Sequence, residues 1–130
     1  MWPKDLKYSK SHEWARVEGD IVTMGLSMFA VKHLSDLVFI DLPDTGDEVT
    51  QSESYAEIES VKAVADVYAI VSGEIAEVNE SLDGEIEKIS KDCYNEGWIA
   101  KIKMSNPAEL DNLMDVEEYT KYAAAEEDAH

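Results

Sequence analysis

The chain has 130 residues, 45% of them apolar, and 29 acidic side chains stand against 11 basic ones for a formal net charge of −18. That length fits one domain able to bury roughly two-thirds of its unfolded surface, and the apolar fraction excludes general disorder. Nucleic acid and anionic membrane are excluded as partners because both reward cationic surfaces, and no apolar run approaches the roughly 20 residues of a bilayer-spanning helix.

A single cysteine, Cys93, rules out an internal disulfide framework and fits a reducing compartment. The first residues carry no long apolar core, so the chain reads as cytoplasmic; a mature organellar protein with its transit peptide trimmed would look the same. The acidity fits either plain solubility or docking on basic patches of larger enzymes.

Residues 14–22 form two alternating runs around Gly19-Asp20, the pattern of a tight hairpin. Ser27 is placed to cap a short helix through Met28, Phe29, Val31 and Leu34. Residues 37–42 are strand-like and end at Pro43, and 44–47 form a turn. Two β runs follow, 54–59 and 64–71, joined by a short connection that puts Lys62 near its tip. Ser72-Gly73 breaks the chain, 74–78 alternates as a strand, 79–90 reads as a polar loop with possible helix, and 98–104 as a late strand.

After Asn106-Pro107 the apolar period lengthens from two to about 3.6, predicting a helix with Asn106 as cap, Leu110, Leu113 and Met114 on one face, and Val116, Tyr119 and Tyr122 extending it. The acidic, alanine-rich tail 123–130 is expected to fray. One domain over 1–130, its core spanning about 6–122, is therefore a small β sandwich or barrel with helical decoration.

No phosphate-cradling glycine loop, no His-Glu-x-x-His and no paired cysteines occur. His12, His33 and His130 are scattered, so no metal site is expected. No nucleophile, base and orienting partner stand at recognisable spacing, which argues against a stand-alone enzyme. The informative stretch is Glu59-Ser60-Val61-Lys62-Ala63. A lysine on a short hairpin between small and β-branched residues is an amine that an enzyme can reach, although an ordinary surface lysine would look alike.

The sequence around it resembles the lipoylation hairpin of glycine-cleavage H proteins, and the resemblance runs from about Leu6 to Tyr122. It includes Lys7-Tyr8, Ser11-His12-Glu13-Trp14, Gly25, Leu37-Val38-Phe39-Ile40, Leu42-Pro43, Gly46-Asp47, Asp66, Val71-Ser72-Gly73-Glu74, Val78-Asn79, Glu96-Gly97-Trp98 and Lys101-Ile102-Lys103, in the family's order. It implies a mainly β barrel-sandwich hybrid with a short helix in the N-terminal half and C-terminal helices. Lys62 would bear lipoate as an amide, with Glu59, Ser60, Val61 and Ala63 as the recognition hairpin. The arm would take an aminomethyl group from a pyridoxal-phosphate glycine decarboxylase, pass it to an aminomethyltransferase, and be reoxidised by dihydrolipoyl dehydrogenase. A lipoate-protein ligase or lipoyl/octanoyl transferase would attach the arm, and the carrier, by family analogy a monomer, would itself be no enzyme.

A tethered arm visits successive sites at high effective concentration. Its loaded form needs shelter from water, and the resemblance assigns that cleft to Ser11, Glu13, His33 and Asp66, with Glu13 and Asp66 facing the ammonium. The chain departs from the family's usual Gly at Ser35, Pro at Ile70, Pro at Cys93 and Gly at Asn95, and from a Thr with an acidic or polar neighbour at Ser27-Met28. These changes alter loop geometry more than chemistry. Cys93 fits either a redox thiol or a small buried hydrophobe. An H-like carrier for another multienzyme system, such as heterodisulfide-reductase-like sulfur oxidation, is the alternative reading.

Overall fold

The computed structural model describes residues 2–128. Its strands are β1 (Lys7–Tyr8), β2 (Glu13–Glu18), β3 (Ile21–Leu26), β4 (Leu37–Asp41), β5 (Glu48–Val49), β6 (Ser54–Ser60), β7 (Val64–Tyr68), β8 (Gly73–Val78) and β9 (Ala100–Met104). They form a six-stranded sheet in the order β1-β2-β3-β9-β8-β5 and a three-stranded sheet in the order β4-β6-β7. Every pairing is antiparallel. Val22, Met24 and Ile102 from one sheet and Ile58 and Val67 from the other are fully buried in one apolar core between them. The architecture is the expected mainly β sandwich.

The β2–β3 hairpin turns at Gly19, whose φ of 67° suits a residue without a Cβ. Gly73 opens β8 so close to its neighbour that an added Cβ would meet the Lys103 carbonyl oxygen at 2.0 Å. The strand expected over 64–71 stops at Tyr68, and the late strand begins at Ala100. Three helices decorate the sheets, α1 (Met28–Leu34), α2 (Glu87–Asp92) and α3 (Val116–Asp128), with 3-10 turns at Glu80–Leu82 and Pro107–Asn112.

Three local expectations change. Ser27 precedes α1 without a side-chain cap; its hydroxyl instead pairs with the Tyr119 hydroxyl at 2.6 Å. The helix expected to run on from Pro107 splits, because Met114 exchanges two 2.8 Å backbone hydrogen bonds with Tyr8 and must be extended to do so. Asn106 does cap the first segment, accepting from the Ala108 N–H. Finally, residues 123–128 are helical and continue α3, Ala123 is buried, and the Glu126 carboxylate meets His12 Nε2 at 2.8 Å. Ala129 and His130 lie outside the described residues.

The contact that holds α3 is a second core of Leu6, Tyr8, Trp14, Phe29, Tyr119 and Ala123. Tyr119 stacks on Tyr8 with ring centroids 4.3 Å apart, and its hydroxyl joins His12 Nδ1 at 2.8 Å as well as Ser27. Tyr119→Phe would strand two buried polar groups at once, so it should lower stability by about 1–3 kcal/mol in urea unfolding. Burial lowers the His12 pKa, opposed by its bond to and the charge of Glu126 and aided by His33. The folded state therefore favours the neutral ring; this contribution is complete above the ordinary value of 6.5 and is lost as pH falls below it.

Candidate functional site

The β6–β7 hairpin places Lys62 where an enzyme can grasp it. Ser60 fastens the turn: its backbone N–H donates to the Ala63 carbonyl at 2.8 Å, and its hydroxyl accepts from the Ala63 N–H at 3.1 Å. The Val61 N–H donates to the Asp36 carbonyl at 2.9 Å, tying the tip to the segment before β4. Ser60 is buried, whereas Val61, Lys62, Ala63 and Glu59 are exposed. A rigid base thus presents a mobile amine, the geometry that acylation by a second protein requires.

From this tip β7 runs back toward the body. At ordinary strand rise it spans roughly 14 Å from Val64 to Tyr68. At its far end the Tyr68 N–H donates to Glu13 Oε2 at 3.2 Å. Glu13 stands on β2 with only 1% of its surface exposed. Its Oε1 accepts hydrogen bonds from the Ser11 hydroxyl and, at 2.6 Å, from the Ser9 hydroxyl. Burial pushes the Glu13 carboxyl up to about 7, against the pull of the Ser11, Ser9 and Tyr68 donors. A carboxyl near 7 that retains acceptor capacity on Oε2 is suited to receive a cationic group.

An open cleft of about 650 Å³ is walled by Ser9, Lys10, Ser11, Gln51, Tyr68 and Leu113 among others, so residues that bond Glu13 line it while the buried Glu13 itself does not. Of the four residues assigned to the cleft, Ser11 and Glu13 are joined by a hydrogen bond. Asp66 sits on β7 two residues before Tyr68, exposed, where its Oδ1 accepts from the Ser54 hydroxyl at 2.9 Å. His33 comes from another element: on α1 it is exposed, stacks on Phe29 at 4.4 Å, and has Nδ1 3.1 Å from the Phe29 carbonyl. Phe29 in turn stacks on His12, so His33 belongs to an aromatic ladder beside the α3 contact.

Ser9 is the site residue that the sequence did not disclose. It holds Glu13 at both ends, donating to the carboxylate and accepting from the Glu13 N–H at 3.0 Å. The signal for it lies in His12, whose φ of 69° folds residues 9–13 into a tight turn; no local composition announces that conformation. Cys93 is fully buried, its carbonyl accepts from Trp14 Nε1 at 2.9 Å, and burial pushes its thiol up to about 12, as befits a small hydrophobe. Among the described residues no group of three or more His, Cys, Asp or Glu is placed to hold a metal. Nor is any helix among them long and apolar enough to cross a membrane.

Comparison with known proteins gives one answer. Residues 6–126 match the family model described as glycine cleavage H-protein. The glycine cleavage system H protein of Symbiobacterium thermophilum is 51% identical over 120 residues, covering 92% of this chain and 94% of that one. A mitochondrial glycine cleavage system H protein from Flaveria pringlei is 46% identical over 125 residues, 96% of this chain and 77% of that one. In three dimensions the chain resembles the crystal structure of a glycine cleavage system H protein from Mycobacterium marinum, with a TM-score of 0.84 at 35% identity over 92% of this chain and 96% of that one. Nothing in these relatives favours a carrier for sulfur oxidation. With whole-length similarity in sequence and fold, the chain belongs to the glycine cleavage H-protein family.

Proposed function

We infer that the chain is the lipoyl carrier of glycine cleavage, with lipoate in amide linkage to Lys62. The observation that carries this reading is the placement of Lys62: exposed, at the tip of a hairpin braced by Ser60, and at the start of a strand that leads to the buried Glu13 carboxyl. The residues present fit the group. Lys62 supplies the attachment point, the mixed polar and apolar cleft beside Ser9, Ser11, Tyr68 and Leu113 has room for an acyl stem, and Glu13 supplies an anionic end. When bound, lipoate supplies a disulfide that accepts the aminomethyl group and electrons released from glycine.

The chain's own residues do the rest. The hairpin keeps the arm's root fixed while leaving its length free, which raises the effective concentration at each partner site. Ser9, Ser11 and the Tyr68 N–H hold the Glu13 carboxyl in place for an ammonium group. Asp66, exposed along β7, adds a second negative charge on the way. His33, through the Phe29 stack, steadies the α1 side. The partners are the glycine decarboxylase, the aminomethyltransferase, dihydrolipoyl dehydrogenase and the enzyme that attaches lipoate. The carrier serves them as a monomer in the cytoplasm or, like the mitochondrial Flaveria relatives, inside an organelle.

The test is glycine-dependent bicarbonate exchange by a glycine decarboxylase, supplied with enzymatically lipoylated chain whose mass confirms one lipoyl group. Exchange that scales with the carrier supports the reading. Its absence, with an authentic H protein active alongside, sinks it.

A further inference from the structure

The two sheets differ in how far their charges are offset. In the six-stranded sheet Glu74 and Glu77 stand opposite Lys103 and Lys101, although Glu74 also faces Glu48 on its other side. In the three-stranded sheet acids face acids. Asp41 on β4 pairs with Glu57 on β6, and Glu57 with Asp66 on β7, so three exposed carboxylates cross the sheet in one row. Like charges directly opposite destabilise a sheet, and no Lys or Arg stands in β4, β6 or β7 to relieve them.

The neighbouring row on the same outer face, nearer the hairpin, is Phe39, Glu59 and Val64. Phe39 is 52% and Val64 62% exposed, and Val38 and Val61 beside them are 53% and 75% exposed. Four of the five large hydrophobic side chains exposed among the described residues thus lie at this end, the fifth being Val17 on β2. Exposed apolar side chains set among carboxylates, Glu59 between Phe39 and Val64 and the acidic row beside them, suit a protein partner that offers both apolar and basic groups.

We propose that this outer face of the β4–β6–β7 sheet is the surface by which the lipoylated chain docks on the glycine decarboxylase. The proposal rests on the carrier reading above. That enzyme must bind the carboxylate of glycine and the phosphate of its cofactor, chemistry that calls for cationic groups at its site and so complements an acidic face. The face is also continuous with the arm: Glu59 and Val64 lie on the two strands that end at the hairpin, and the exposed Val61 lies on the hairpin itself. Lys62 is the only Lys or Arg in the three strands or that hairpin. Acylation of its amine removes that charge, leaving the face wholly anionic, so docking favours the lipoylated chain over the unmodified one.

The test is the KM for lipoylated chain in the same exchange assay, with each variant lipoylated to completion by mass and folded by thermal melt. Phe39→Ser, and separately the pair Asp41→Asn with Glu57→Gln, should each raise KM about tenfold and leave kcat in place. The charge pair should also flatten the dependence of KM on salt. The control pair Glu74→Gln with Glu77→Gln makes the same change of charge on the other sheet and should leave KM near wild type. Unchanged KM in both face variants overturns the proposal. So does an equal rise in the control, which would show that net charge alone steers association. No exchange from the wild-type chain beside an active authentic H protein would instead be the failure of the carrier reading itself.

Discussion

Lys62→Arg should give a folded protein that keeps its unmodified mass after incubation with a lipoate-attaching enzyme and supports no glycine-dependent exchange. Arginine preserves the charge and much of the reach, but its guanidinium is not an acceptor for acylation. Stability should be untouched, because the bonds that close the hairpin run through Ser60, the Ala63 backbone and the Val61 N–H, and the Lys62 side chain is exposed. The measurements are intact mass, the exchange rate and a urea midpoint, all beside wild type. A collapse of the midpoint would make Lys62 a structural residue, and full exchange from the variant would move the attachment point elsewhere.

The second large effect concerns Glu13. Its carboxyl titrates at about 7, so retention of the amine-bearing arm should strengthen as pH rises through that value and the group ionises. The release rate of the aminomethyl group from loaded protein, followed on both sides of this pH, reads the effect directly. Ser9→Ala removes a donor to the ionised form and should move the midpoint to about tenfold lower proton concentration. Glu13→Gln should abolish the midpoint altogether and shorten retention, while a pH profile unchanged in Glu13→Gln would remove the carboxyl from the protective role. Stability moves the other way. The folded carboxyl holds its proton more tightly than an unfolded one near 4.5, so its contribution is complete below that value and is lost as pH rises through about 7. Glu13→Gln should therefore melt higher than wild type above pH 7, with the advantage shrinking in acid. A site that stabilises a bound cation at the expense of the empty fold is a familiar trade.

Much of this was legible in the sequence wherever the cause is local. The Gly19 turn, the short connection bearing Lys62 and the Asn106 cap are set by residues a few positions apart, and each stands where the pattern puts it. The family resemblance pointed to Ser11 and Glu13, which a hydrogen bond joins. What escaped depends on distant partners. Met114 leaves the helix because Tyr8, far back in the chain, offers its backbone. Residues 123–128 continue α3 beside the contacts that His12 makes with Glu126 and Tyr8 with Tyr119, partners that their alanine-rich, acidic composition does not announce. The apolar run 37–40 gives no sign that Val38 and Phe39 face outward while Ile40 is buried. Only the register with β6 reveals which residues share a face, and hence that three acids stand in line.

The burial of Cys93 bears on the safety of the cargo. A cyclic disulfide carried on a tether meets the nucleophiles of its own chain at high local concentration, and an accessible thiolate would open it into a mixed disulfide. Here the chain's single cysteine is fully buried, and burial pushes its thiol up to about 12. With lipoate on Lys62 as proposed, the chain would be chemically silent toward its own disulfide, and the arm's redox state would be left to partner enzymes.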